Sequence, residues 1–70
     1  MSSFIVSYEL NSEQSDCTEL HNRIKSYIAY YHCLNCTWII KSEFSVEQIR
    51  EHLLAALHKN DRLLVAKIQA

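Results

Sequence analysis

A strand-like run, a helix with a written start and a second strand-like run occur twice in succession in this chain. That order restricts the fold more than anything else in the sequence. In residues 4–10, Phe4, Val6, Tyr8 and Leu10 alternate with Ile5, Ser7 and Glu9, a period of two that predicts a strand with one better-buried face. Residues 11–15 are a polar loop. Asp16 or Ser15 can cap a helix, and Glu19 stands three residues after Asp16, the spacing of a capping box. Leu20, Ile24 and Tyr27 or Ile28 then recur at helical spacing, so a helix is predicted over 16–27. Residues 28–33 form a short aromatic strand, Leu34-Asn35 a hairpin tip, and Cys36 to Lys41 a strand rich in strand formers. Ser45-Val46-Glu47-Gln48 starts the second helix, with the Ser45 hydroxyl and the Gln48 side chain placed for a reciprocal cap. Phe44 and Ile49 are spaced as a hydrophobic staple. Val46, Ile49, Leu53, Ala56 and Leu57 make one apolar stripe, and a helix over 46–59 is predicted to stop at a left-handed Asn60. Residues 63–68 are nearly continuous apolar sequence and read as the last strand.

The order β-α-β-β-α-β predicts an α+β, ferredoxin-like sandwich. In it a four-stranded antiparallel sheet, strand order 4-1-3-2, carries both helices on one face. The 70 residues are expected to form one domain over 1–70. So short a chain buries only about 60% of the surface its unfolded form exposes. An apolar fraction of 49% is generous for that core, which leaves apolar surface for a partner. The chain contains no Gly and no Pro. Asn11, Asn35 and Asn60 stand at the predicted turns instead, and Asn tolerates the left-handed conformation better than most residues.

A formal net charge of −1 supplies no basic footprint for nonspecific nucleic-acid binding. Arg23, Lys25, Lys41, Arg62 and Lys67 would form a basic stripe only if the fold gathers them. No signal-peptide pattern and no run of about 20 apolar residues is present, and three cysteines suit a reducing compartment. A cytoplasmic protein without a membrane partner is expected. Cys33-x-x-Cys36, with His32 before it and Cys17 and His21 on the first helix, is the one zinc-like pattern. Its hairpin setting, and a Cys17-His21 pair expected from the opposite side of the sheet, favour packing residues or free thiols and no metal. Glu9 ends the first strand, where a symmetric dimer could double it around one Mg²⁺. Otherwise it is a solvated strand end. No Ser-His-Asp set or phosphate loop can be assembled. Tyr30, Tyr31 and Trp38 could stack bases, although packing against a partner is the commoner use of such residues.

Ile5-Val6-Ser7-Tyr8-Glu9-Leu10-Asn11 resembles the first strand of small CRISPR-associated adaptation proteins and their SinR-like and VapD-like relatives, which tends to read apolar-x-Tyr-Asp-Leu. Tyr30-Tyr31-His32 followed by Thr37-Trp38-Ile39-Ile40 is similar to the aromatic-His hairpin of the SinR-like branch. Asn60-Asp61-Arg62-Leu63-Leu64-Val65 is similar to that branch's lead-in to the last strand. The resemblance implies a ferredoxin-like homodimer among proteins that include metal-dependent nucleases, toxins and binders. It maps the family's acidic residue onto Glu9, where Glu replaces Asp.

Three function classes follow. The first is a non-catalytic interaction module, homodimeric, that binds a protein through its exposed sheet face or edge, in phage–host or toxin–antitoxin conflict. Tyr30, Tyr31, Trp38, Lys41 and Arg62 are its candidate partner-binding residues. The second is a Mg²⁺-dependent nuclease with Glu9 as metal ligand. The third is a nucleic-acid-binding regulator that uses Arg62, Lys41 and the aromatics. The dimer is expected to place Ser7, Glu9, Thr37 or Trp38 at or beside its interface.

Overall fold

The computed structural model describes residues 1–11 and 17–68. Its elements are β1 (Ser2–Glu9), α1 (Thr18–Ile24), β2 (Ala29–Leu34), β3 (Thr37–Ser42), α2 (Val46–Leu54) and β4 (Arg62–Ile68). The four strands form one antiparallel sheet in the order β2-β3-β1-β4. The alternation in β1 sends Phe4, Val6 and Tyr8 to one face, where they are buried. Register with β3 adds Trp38 and Ile40 to that face. Leu20 and Ile24 of α1, Tyr27, and Ile49 and Leu53 of α2 complete a single core cluster, so both helices cover the same side of the sheet.

Ser45 caps α2 as its spacing predicts. Its hydroxyl accepts from the Gln48 backbone N–H at 3.2 Å, and the Gln48 side-chain Oε1 accepts from the Ser45 backbone N–H at 2.9 Å. Ser45→Ala is expected to cost about 1 kcal/mol, because an end donor of the helix then loses its acceptor. A urea midpoint unchanged by the substitution would show that the cap contributes nothing. Phe44 is 56% exposed while Ile49 is fully buried, and Phe44 lines a groove with Tyr27, Gln48 and His52 instead.

Both helices are shorter than their periodicity predicts. Asp16, the predicted cap of α1, lies outside the described residues. Helix α1 starts at Thr18, and Cys17 at the N-cap position makes no side-chain cap. It ends at Ile24, where Ser26 and Tyr27 amides bond back three residues to Arg23 and Ile24 carbonyls. Helix α2 ends at Leu54 for a similar reason. The Ala56 and Leu57 amides reach Leu53 and Leu54 carbonyls, three residues back, which tightens the chain. The His58 amide is then taken by the Asp61 carboxylate at 2.9 Å. No described residue has a positive φ, so the expected left-handed stop at Asn60 is replaced by this side-chain closure. Asp61 also accepts from the Asn11 amide at 2.8 Å, which ties the loop after β1 to the lead-in of β4.

Among the described residues no helix is long and apolar enough to cross a membrane.

Candidate functional site

The face of the sheet away from the helices carries Ser3, Ile5, Ser7 and Glu9 of β1, and cross-strand register fixes their neighbours. Ile5 stands beside Ile39 and Ala66, and Tyr31 beside Ile39, so one apolar row crosses all four strands. Ser7 stands beside Thr37 and Leu64. Ser7 and Thr37 hydroxyls bond each other at 3.2 Å, which satisfies the polar pair in the middle of the face. Tyr31, Leu34 and Leu64 are 67%, 69% and 58% exposed. Charge is confined to the ends. Lys41 stands in the Ser3 row, and Glu9 pairs in register with Arg62. A solvated sheet face normally alternates polar residues outward; this one presents a row of Tyr, Ile, Ile and Ala.

The five residues predicted to bind a partner are divided by the fold. Tyr31, Lys41 and Arg62 are on this open face. Trp38 is on the helix-covered face and 2% exposed, so it belongs to the core and no partner reaches it. Tyr30 pairs with Ile40 and therefore also points to the helix side, 44% exposed. The three aromatics thus share no platform on which bases could stack. The basic residues do not gather into a stripe either. Lys41 and Arg62 lie in rows about 20 Å apart along β1, Lys67 pairs with Phe4 on the other face, and Arg23 is held by Glu19 at 3.0 Å and by the His52 carbonyl at 2.8 Å.

Glu9 is exposed, and its carboxylate accepts from the Asn11 amide side chain at 2.8 Å. Among the described residues no group of three His, Cys, Asp or Glu side chains is arranged to hold a metal ion.

A second feature was missed by sequence reasoning. His21, on α1, meets the hairpin rather than solvent. Its Nε2 is 2.6 Å from the Tyr8 hydroxyl, which also lies 3.3 Å from the Asn35 carbonyl. His32 stacks flat on Trp38, with ring centroids 4.0 Å apart, and its Nε2 lies 3.0 Å from the same carbonyl. His21 meets the Trp38 ring edge-on at 5.0 Å. The first helix and the His32 hairpin are therefore on the same side, contrary to the expectation that Cys17-His21 lies opposite. Burial lowers the His21 pKa, and the nearby His32 and Lys25 push it the same way. Burial raises the Tyr8 phenol, against an opposing effect of the Trp38 indole N–H. That N–H is buried without a hydrogen bond of good geometry. The Tyr8 hydroxyl thus stands between His21 Nε2 and the Asn35 carbonyl, and the cluster joins the hairpin tip to α1.

This fixes a pH dependence. The unfolded chain binds the His21 proton at a higher pH than the folded chain does. The His21 contribution to stability is complete above the ordinary imidazole pKa of about 6.5 and is lost as pH falls through the folded value. The thermal midpoint is expected to drop between neutral pH and pH about 5, and His21→Asn should flatten that slope. An equal slope in the variant would remove His21 as its source.

No family, characterised relative or solved structure matches the chain. The functional reading therefore stands on the faces and side chains described above.

Proposed function

We propose that the chain is a non-catalytic interaction module, a ferredoxin-like sandwich that binds protein through its open sheet face and works as a homodimer. The observation that carries this reading is the uncharged row Tyr31–Ile39–Ile5–Ala66 across the centre of an uncovered sheet. Apolar surface of that kind contributes roughly 25 cal/mol for each Å² removed from water, and contiguous exposed patches mark interaction sites. Dispersed basic residues and a buried Trp38 give less support to the nucleic-acid reading. The nuclease reading rests on Glu9, whose carboxylate accepts from the Asn11 side chain while the Asn11 backbone amide donates to Asp61. A place in phage–host or toxin–antitoxin conflict is the proposed setting, and the three cysteines suit a cytoplasmic one.

A photo-crosslinking residue tests the reading. Placed at Tyr31 on the open face, it should capture protein, either another copy or a different chain. Placed at Leu54, exposed on α2, it should capture far less. Equal capture at both positions, or none at Tyr31, would sink the reading. Mg²⁺-dependent cleavage of nucleic acid that disappears in Glu9→Ala would replace it with the nuclease.

A further inference from the structure

We propose that Cys17 and Cys36 form a reversible disulfide on oxidation, which fastens the start of α1 to the turn between β2 and β3. The bond lies on the helix-covered side of the sheet and is independent of what the open face binds.

All three cysteines carry free thiols. Asn35 and Cys36 make the turn between Leu34 and Thr37. The Cys36 carbonyl accepts from the Tyr8 backbone N–H at 3.0 Å, so residue 36 continues the β1–β3 pairing one step beyond Ser7 and Thr37. That step is in phase with Trp38, on the helix-covered side. Cys17 stands at the N-cap position of α1, where its side chain caps nothing. Its carbonyl accepts from the His21 backbone N–H at 2.8 Å, and residues four apart share a helix face. On that face His21 Nε2 comes to 2.6 Å from the Tyr8 hydroxyl. Tyr8 is therefore met by the turn and by α1 together. Burial is the main cause that raises the Tyr8 phenol, and negative charge on Cys36 and then on Cys17 pushes it the same way. Coulomb effects decay with distance, so both sulfurs stand near that one hydroxyl. Cys33 does not share this place. It occupies the bulge between His32 and Leu34, and its Sγ turns back to within 3.9 Å of the Tyr31 carbonyl. The geometry thus selects Cys17 with Cys36 over the Cys-x-x-Cys pair.

Cys36 is exposed and Cys17 half-buried, so Cys36 meets the oxidant first. Its thiolate attacks one sulfur of a small disulfide such as oxidised glutathione; the S–S bond of the reagent breaks and one small thiolate leaves. The Cys17 thiolate then attacks the Cys36 sulfur, and the second small thiolate leaves. Two electrons pass from the protein to the reagent, and the two cysteine protons end on the two released thiols. The closed loop of about 20 residues contains α1 and β2, and closing it restrains the unfolded chain. In a reducing compartment such a bond forms only transiently, as in redox sensing.

Oxidation of the full chain with oxidised glutathione at neutral pH, followed by digestion and mass spectrometry without reductant, tests the pairing. The expected product is one peptide pair joined through Cys17 and Cys36, with Cys33 still open to alkylation. Cys33→Ser should form the same bond. Its thermal midpoint should rise by about 10 °C on oxidation and fall back with dithiothreitol. Cys17→Ser and Cys36→Ser should each stop at a mixed disulfide with glutathione and show no such rise. A Cys33–Cys36 bond as the main product, a bond between two copies of the chain, or mixed disulfides alone in the wild type would overturn the proposal.

Discussion

Trp38→Ala is expected to destabilise the fold by about 3–5 kcal/mol, the usual cost of deleting a buried large aromatic. At typical per-residue stabilities a 70-residue domain has only about 4–10 kcal/mol to lose. The variant should therefore be partly or wholly unfolded at room temperature. Trp38 is 2% exposed and pairs in register with Val6 and His32. Its ring supports His32 by stacking and is met edge-on by His21. Alanine leaves a cavity at the junction of β1, β3 and α1 and removes the surface on which the hairpin tip rests. Trp38→Phe is expected to cost much less, about 1–2 kcal/mol, because a ring still fills most of the space and the unpartnered indole N–H disappears. Far-UV circular dichroism in urea measures both, since the fluorophore itself is removed. A shift below about 1 kcal/mol for the alanine variant would deny Trp38 its place in the core.

The contrast between β1 and β3 explains how much of this was legible in the sequence. In β1 the polar residues Ser7 and Glu9 break the apolar pattern, so the buried set Phe4, Val6 and Tyr8 can be read directly. In β3 Trp38, Ile39 and Ile40 are consecutive, and hydrophobicity alone does not say which set faces the helices. Only pairing with β1 decides it, and pairing is a long-range property. The β3 sequence alone therefore allows Trp38 on either face, and pairing with Val6 puts it in the core. Helix ends were misjudged for a related reason. Ile24 and Tyr27 are three apart and both buried, which imitates a continuing helix, yet a tight turn delivers Tyr27 to His52, with its hydroxyl 2.8 Å from Nδ1. Beyond α2, Ala55 to His58 are acceptable helix residues, but an aspartate three positions past His58 captures its amide. The capping box at Ser45 was legible because all its partners lie within four residues. The Tyr8–His21–His32 cluster was not, because its members come from three elements and no local spacing links them. The one available signal was the presence of a histidine beside Leu20 on the inward stripe of α1.

Ile39→Lys is expected to weaken association through the open face by at least about a hundredfold while leaving the monomer folded. Ile39 lies between Tyr31 and Ile5 in the apolar row, at the centre of the proposed contact. Residues central to an interface and shielded from water dominate affinity. A lysine there loses the buried isoleucine contact, and a symmetric contact brings in two such ammonium groups with no carboxylate in their own row. Burying an unpaired charge is costly enough to abolish binding at micromolar concentration. The monomer is affected little, because Ile39 is only half-buried and the long lysine stem can lie along the sheet while its head stays in water. A change within about 1 kcal/mol is expected for the monomer. The same substitution at Ile40 reverses the outcome. Ile40 is fully buried under the helices, so Ile40→Lys should unfold the chain instead of dissociating it. Sedimentation and thermal denaturation of the two variants together separate the faces of β3. An Ile39→Lys chain that still associates like wild type would show that contact is made elsewhere, at the β2 or β4 edge. An Ile39→Lys chain that unfolds would show that its face is part of the monomer's own core.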